Sequence, residues 1–99
     1  MSKKTINNFS NPKTVNKKAV QYLGKNVKIK LSDKSDKKYM VLNPNTNKYV
    51  YFGAMGYEDF TKHNDVNRRE NYLIRSANII GKWEDDKYSP NNLSRNILW

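Results

Sequence analysis

The stretch Tyr39-Met40-Val41-Leu42-Asn43-Pro44-Asn45-Thr46-Asn47-Lys48-Tyr49-Val50-Tyr51-Phe52 decides the fold. Two runs of β-branched and aromatic residues, Tyr39–Leu42 and Tyr49–Phe52, flank a polar segment able to reverse the chain. Pro44 presets φ for a turn, and asparagine tolerates the left-handed region better than most residues. The combination predicts a β-hairpin. Gly53 and Gly56 then end the second strand and turn the path away.

Toward the N-terminus, Asn26 to Ser32 alternates, with Val27, Ile29 and Leu31 on one side and Lys28 and Lys30 on the other. A period of two predicts a third, half-buried strand. Asp33 to Lys38 reads as a charged turn or loop. Beyond the hairpin, Asn64 or Asp65 can cap a helix running to about Ile80, with Gly81 as its left-handed stop. On a helical wheel Val66, Leu73, Ala77 and Ile80 share a stripe, with Ile74 beside it, and this stripe is expected to dock on the hairpin. Arg68, Asn71, Arg75 and Asn78 fall on the opposite face, bordered by Tyr72 and Ile79. Ser89-Pro90 opens a last short helix with Leu93 and Ile97 on one face, followed by Trp99. The expected fold is α+β: a small three-stranded antiparallel sheet packed on one helix of about four turns, plus a short C-terminal helix.

Charge is distributed unevenly along the 99 residues, a length that suits one domain. Lys and Arg number 19 against 9 Asp and Glu, for a net charge of +10. Residues 1–38 hold eleven Lys against two Asp, an excess of nine. Residues 39–99 hold four Lys and four Arg against four Asp and three Glu, an excess of one. Residues 1–25 are therefore expected to form a lysine-rich, largely disordered arm, with too little apolar material to offset the entropy of ordering. Within it Val15, Ala19, Val20 and Leu23 can make a short amphipathic helix ending at Gly24, marginal unless it docks. The compact domain is expected over 26–99.

Several chemistries are set aside on composition. With no cysteine, disulfide scaffolds and Cys-based zinc sites are excluded. The apolar runs are far shorter than a membrane span or a signal-peptide core, so neither secretion nor membrane spanning is expected. Gly53-Ala54-Met55-Gly56 lacks the Lys and Ser/Thr of a phosphate loop and suits a turn. His63, with Asp59 and Asp65 nearby, matches no specific metal spacing, and bonding at the helix start explains it better. No metal ligand, cofactor or catalytic residue is expected, and a metal-dependent nuclease around Asp59, His63 and Asp65 is a minor alternative.

The remaining chemistry is phosphate binding. Lys3, Lys4, Lys13, Lys17, Lys18, Lys28, Lys30 and Lys62 supply cations, and Arg68 and Arg75 a fixed pair on one helix face. Asn71 between them can read base edges, although a polar outer helix face is also what any amphipathic helix needs. Trp83, Tyr88 and Trp99 can stack on bases or simply fill the core. The acidic run Glu84-Asp85-Asp86 would repel a phosphate backbone.

From Tyr39 onward the chain also carries Tyr51-Phe52-Gly53, Tyr57-Glu58-Asp59-Phe60-Thr61-Lys62-His63-Asn64-Asp65, Arg68-Arg69-x-x-Tyr72-x-x-Arg75, Trp83, and Ser89-Pro90-Asn91-Asn92-Leu93-Ser94-Arg95-Asn96-Ile97-Leu98-Trp99. This set resembles a family of short basic proteins of giant and other large DNA viruses. Ser76 departs from it, standing where a histidine is expected after Arg75. The resemblance implies a viral setting, in the virion or in the cytoplasm or nucleus of an infected cell, and brings no catalytic residues. The expected function is non-enzymatic binding of nucleic acid, DNA in the first instance, through non-specific phosphate contacts. The alternative is a virion structural protein whose basic arm docks on an acidic capsid or core partner.

Overall fold

The computed structural model describes residues 3–99. A 3₁₀ turn at Lys3–Asn8 leads into α1 (Pro12–Leu23), then β1 (Ile29–Leu31), β2 (Lys37–Asn43) and β3 (Lys48–Ala54). A single helical turn α2 (Phe60–His63), the helix α3 (Val66–Ala77), a 3₁₀ turn at Trp83–Asp85 and α4 (Pro90–Leu93) follow. The chain then continues as one π-helical turn over Ser94–Leu98.

The α+β expectation holds. The sheet is antiparallel throughout, in the order β1-β2-β3, with Lys30 opposite Met40 and Met40 opposite Tyr51. The hairpin turn forms for local reasons. Asn43 accepts the amides of Thr46 and Asn47 on its carbonyl and that of Asn45 on its side chain, and Asn47 takes a left-handed φ of 57°. Gly53 has φ of 83°, and a Cβ there would come within 2.8 Å of Leu98 Cδ1. The missing side chain lets Leu98 close over the end of β3.

Over its described residues, 3–25, the expected arm is not largely disordered: the short helix ending at Gly24 forms and docks. Asn11 caps α1 by accepting from the Thr14 amide, Pro12 opens the helix and Gly24 closes it. Val15 and Ala19 are fully buried, and so is Ile6 ahead of them. They join Tyr39, Val41 and Phe52 of the sheet and Leu93, Ile97 and Leu98 of the C-terminal segment in one core. The arm is poor in apolar residues, but Val15, Ala19 and Leu23 recur every fourth residue on one face of α1, while Val20 stays exposed. Docking that face supplies the burial that an isolated helix of this length lacks.

The stripe expected to dock on the hairpin is also corrected. Val66 is 65% exposed, Ile74 60% and Ile80 98%. The core beneath the sheet is filled by α1 and the C-terminal segment instead. Helix α3 is held by a different face, where Arg95 donates to the Leu73 carbonyl and to Ser76 Oγ, and Asn91 donates to the Ser76 carbonyl. The helix stops at Ala77, before Ile80, because the carbonyls needed to extend it find other donors. Asn78 Nδ2 donates to the Ile74 carbonyl, and the amides of Asn78 and Ile79 donate one residue short, to the carbonyls of Arg75 and Ser76.

Candidate functional site

Helix α3 starts where the sequence places it. Asp65 Oδ1 accepts from the amides of Asn67 and Arg68, satisfying two of the free donors of the first turn. From that fixed start, the spacing of Arg68, Asn71 and Arg75 carries all three to one cleft of about 570 Å³. The fourth residue of the expected polar stripe, Asn78, caps the helix end instead.

The other sides of the cleft come from Gly53, Ala54 and the Tyr57-Glu58 loop, and from Leu98 and Trp99. Tyr57 is 73% exposed at this cleft. Trp99 lies flat against Tyr72, and its carbonyl oxygen accepts from Arg69 Nε at 2.6 Å. The cleft therefore combines two guanidiniums, a side-chain amide and three aromatic rings. Guanidinium forks suit phosphate oxygens, and aromatic faces suit nucleobases.

One carboxylate lies among these groups. Glu58 Oε1 stands 3.7 Å from Arg68 Nη1, and both side chains are about half exposed, so the pair is weak and open to exchange. Lys38 also belongs to the cleft lining, but its ammonium is held by Asp59 Oδ2 at 3.1 Å with both side chains almost wholly buried. Burial pushes the Lys38 pKa down, and the Asp59 carboxylate opposes that shift.

Asp59 accepts also from Thr61 Oγ1, and Thr61 in turn contacts Ser10 Oγ and the Asn11 amide. Tyr39 donates to Ser10 at 2.8 Å, and burial raises its phenol pKa far above the usual range. This buried polar network pins the N-terminal segment to β2 and α2. Sequence reasoning missed it, because Lys38 reads as one more charge in a charged loop.

His63 accepts the Asp65 amide on Nδ1 at 2.9 Å, and its Nε2 is buried without a partner. Asp59 is engaged by Lys38, and Asp65 by the helix start. Among the described residues no group of three or more His, Asp or Glu is placed to hold a metal ion.

The other predicted cations are spread over the molecule. Lys13 and Lys17 are exposed on α1, while Lys18 is half-buried with its pKa lowered by burial and then by Arg69. Lys28 and Lys30 are exposed at β1, and Lys62 is exposed on α2. The side chains of Lys3 and Lys4 lie outside the described part. Of the residues expected to bind phosphate, the structure brings Arg68 and Arg75 together in one concave site. Tyr57 and Glu58 were not expected there; only the loop path after Gly56 reveals them.

A family model described as a family of unknown function (DUF5754) matches residues 27–76. The match covers the sheet, the buried Lys38 and Asp59, and the Arg68, Asn71, Tyr72 and Arg75 side of the cleft. No curated protein and no solved structure matches the chain.

Proposed function

Because the chain belongs to this family of unknown function, its chemistry has to be read from the site, and we propose that it is a non-enzymatic basic protein that binds nucleic acid at the α3 cleft. One observation carries the reading: Arg68, Asn71 and Arg75 share a cleft with Tyr57, Tyr72 and Trp99. Arg68 and Arg75 take phosphate oxygens, and Asn71 lies between them for a base edge or sugar. Tyr57, with most of its surface exposed, offers a ring on which a base can stack. Exposed lysines elsewhere, Lys13, Lys17 and Lys62 among them, add long-range attraction without fixed geometry. The viral setting that the motif resemblance implies, virion or infected cell, belongs to the same proposal.

The test is equilibrium binding of a fluorescent oligonucleotide by the full chain at about 50 mM salt, a regime where phosphate contacts are strong. Arg68→Ala with Arg75→Ala is expected to weaken binding about tenfold or more. Unchanged affinity in that double variant, with wild-type folding, removes the cleft from the account.

The rival reading, a virion structural protein, loses its freely threading arm, since Val15 and Ala19 bury that segment in the core. What favours it now is the set of exposed apolar side chains at Ile74, Ile79 and Ile80. Absence of the chain from purified particles would count against it.

A further inference from the structure

Away from the cleft, the second face of the sheet carries an alternation of lysine and tyrosine. Tyr39, Val41 and Phe52 point into the core, so the residues between them in each strand point the other way. On that face Lys30, Met40 and Tyr51 lie side by side across the three strands. Leu42 and Tyr49 form the next rung, and the Leu42 amide bonds the Lys28 carbonyl. Lys28, Lys30 and Lys34 are exposed, and so is Tyr49, while Tyr51 is half-exposed.

The two tyrosines are oriented and capped. Tyr51 donates its hydroxyl to Asp33 Oδ1 at 2.7 Å, which fixes the ring. Lys34 Nζ sits 4.2 Å above the centroid of Tyr51, and Lys30 Nζ sits 4.8 Å above that of Tyr49. Each ring thus carries a cation over it. Exposed cation–π contacts are weak, and the ammonium moves on a flexible stem.

We propose that this face of the sheet is a second nucleic-acid surface, specific for single strands. An unpaired base replaces the ammonium on each ring, and the displaced Lys30 and Lys34 pair with the phosphates flanking that base. The ring keeps a partner and the cation gains an anion, so the exchange is favourable only for a ligand that brings both. A duplex brings phosphates but keeps its bases stacked inside, and cannot make the exchange. Bases stack on Tyr49 and Tyr51 without hydrogen-bond readout, so little sequence preference accompanies the strand preference.

The proposal stands on residues other than those of the cleft, and the experiment separates the two. A fluorescent oligothymidylate and a duplex of equal length are titrated with the full chain, with Arg68→Ala/Arg75→Ala, and with Tyr49→Ala/Tyr51→Ala made in each background. The Arg variant is expected to weaken single-strand binding without abolishing it, and the added Tyr variants to weaken what remains about tenfold or more. Tyr49→Phe is expected to restore it, and Lys30→Gln with Lys34→Gln, which leaves the rings and the fold in place, to weaken it. Duplex binding is expected to be insensitive to the Tyr variants. Single-strand affinity unchanged by both the Tyr and the Lys variants would overturn the proposal and leave the cleft untouched. Complete loss of binding with the Arg variant alone would also overturn it. Loss with the Tyr variants and none with the Arg variant would uphold the sheet and overturn the cleft.

Discussion

The Trp99 ring lies on the Tyr72 ring with 4.3 Å between centroids and 7° between planes. Tyr72 belongs to α3 and Trp99 follows the π-helical turn, so this stack joins the cleft's helix to the C-terminal segment. Arg69 reinforces it through the Trp99 carbonyl, and His63 packs on the same indole at 5.1 Å. Trp99→Ala removes the stack and leaves α3 anchored at its far end by Arg95 and Asn91. The expected cost is roughly 2–3 kcal/mol, below the figure for a fully buried tryptophan. Trp99→Phe keeps a stacked ring and should cost about 1 kcal/mol. Urea denaturation midpoints of the two variants check this ordering.

The Lys38–Asp59 pair predicts an asymmetry between single and double replacement. Lys38→Met leaves the Asp59 carboxylate buried and uncompensated, and should cost about 3–5 kcal/mol. Replacing Asp59 by Leu in the same chain removes the stranded charge and should recover much of that loss. A double-mutant cycle from chemical denaturation measures the coupling. Additive losses would mean that the two groups do not act as a pair.

His63 predicts a pH dependence of stability. Partial burial and then Arg68 lower its pKa below the usual 6.5, against the pull of Asp65, Glu58 and Asp59. The Asp65 amide bonded to Nδ1 also requires that nitrogen to be unprotonated. The folded chain therefore holds His63 neutral, while the unfolded chain takes up a proton as pH falls through about 6.5. The stability contribution is whole above that value, falls as pH drops below it, and levels off once the folded pKa is passed. The difference in denaturation midpoint between pH 7.5 and pH 5 should be smaller in His63→Gln than in the parent chain. An equal difference would show that His63 does not contribute.

Glu58 competes with any anion for Arg68. Glu58→Gln keeps the shape of the side chain and removes its charge, and is expected to strengthen oligonucleotide binding roughly twofold to fivefold, the range of an exposed ion pair. Titration of both chains at the same salt reads this directly. Weaker binding would mean that the carboxylate touches the ligand favourably.

The hairpin and the start of α3 are legible from sequence because their causes are local. Asn43 and Asn47 make the turn, and Asp65 caps the helix. The buried face of α3 is not legible, since Arg95 and Trp99 select it from far along the chain. Lys38 looks like a solvated charge until the fold brings Asp59 to it across 21 positions. The N-terminal segment misleads through composition, because its few apolar residues are well spaced and the C-terminal segment covers them. The arginine side of the cleft follows from helical spacing alone, whereas Tyr57, Glu58 and Trp99 reach it only through the tertiary path.

The salt dependence of binding tests the central claim most directly. Each phosphate contact on a single strand contributes about 0.7 to the slope of log affinity against log salt. For the full chain the slope should be steep, and Arg68→Ala with Arg75→Ala should lower both the affinity and the slope, the latter by roughly 1 to 1.5. A slope and an affinity that the double variant leaves unchanged would contradict the assignment of phosphate binding to the α3 cleft.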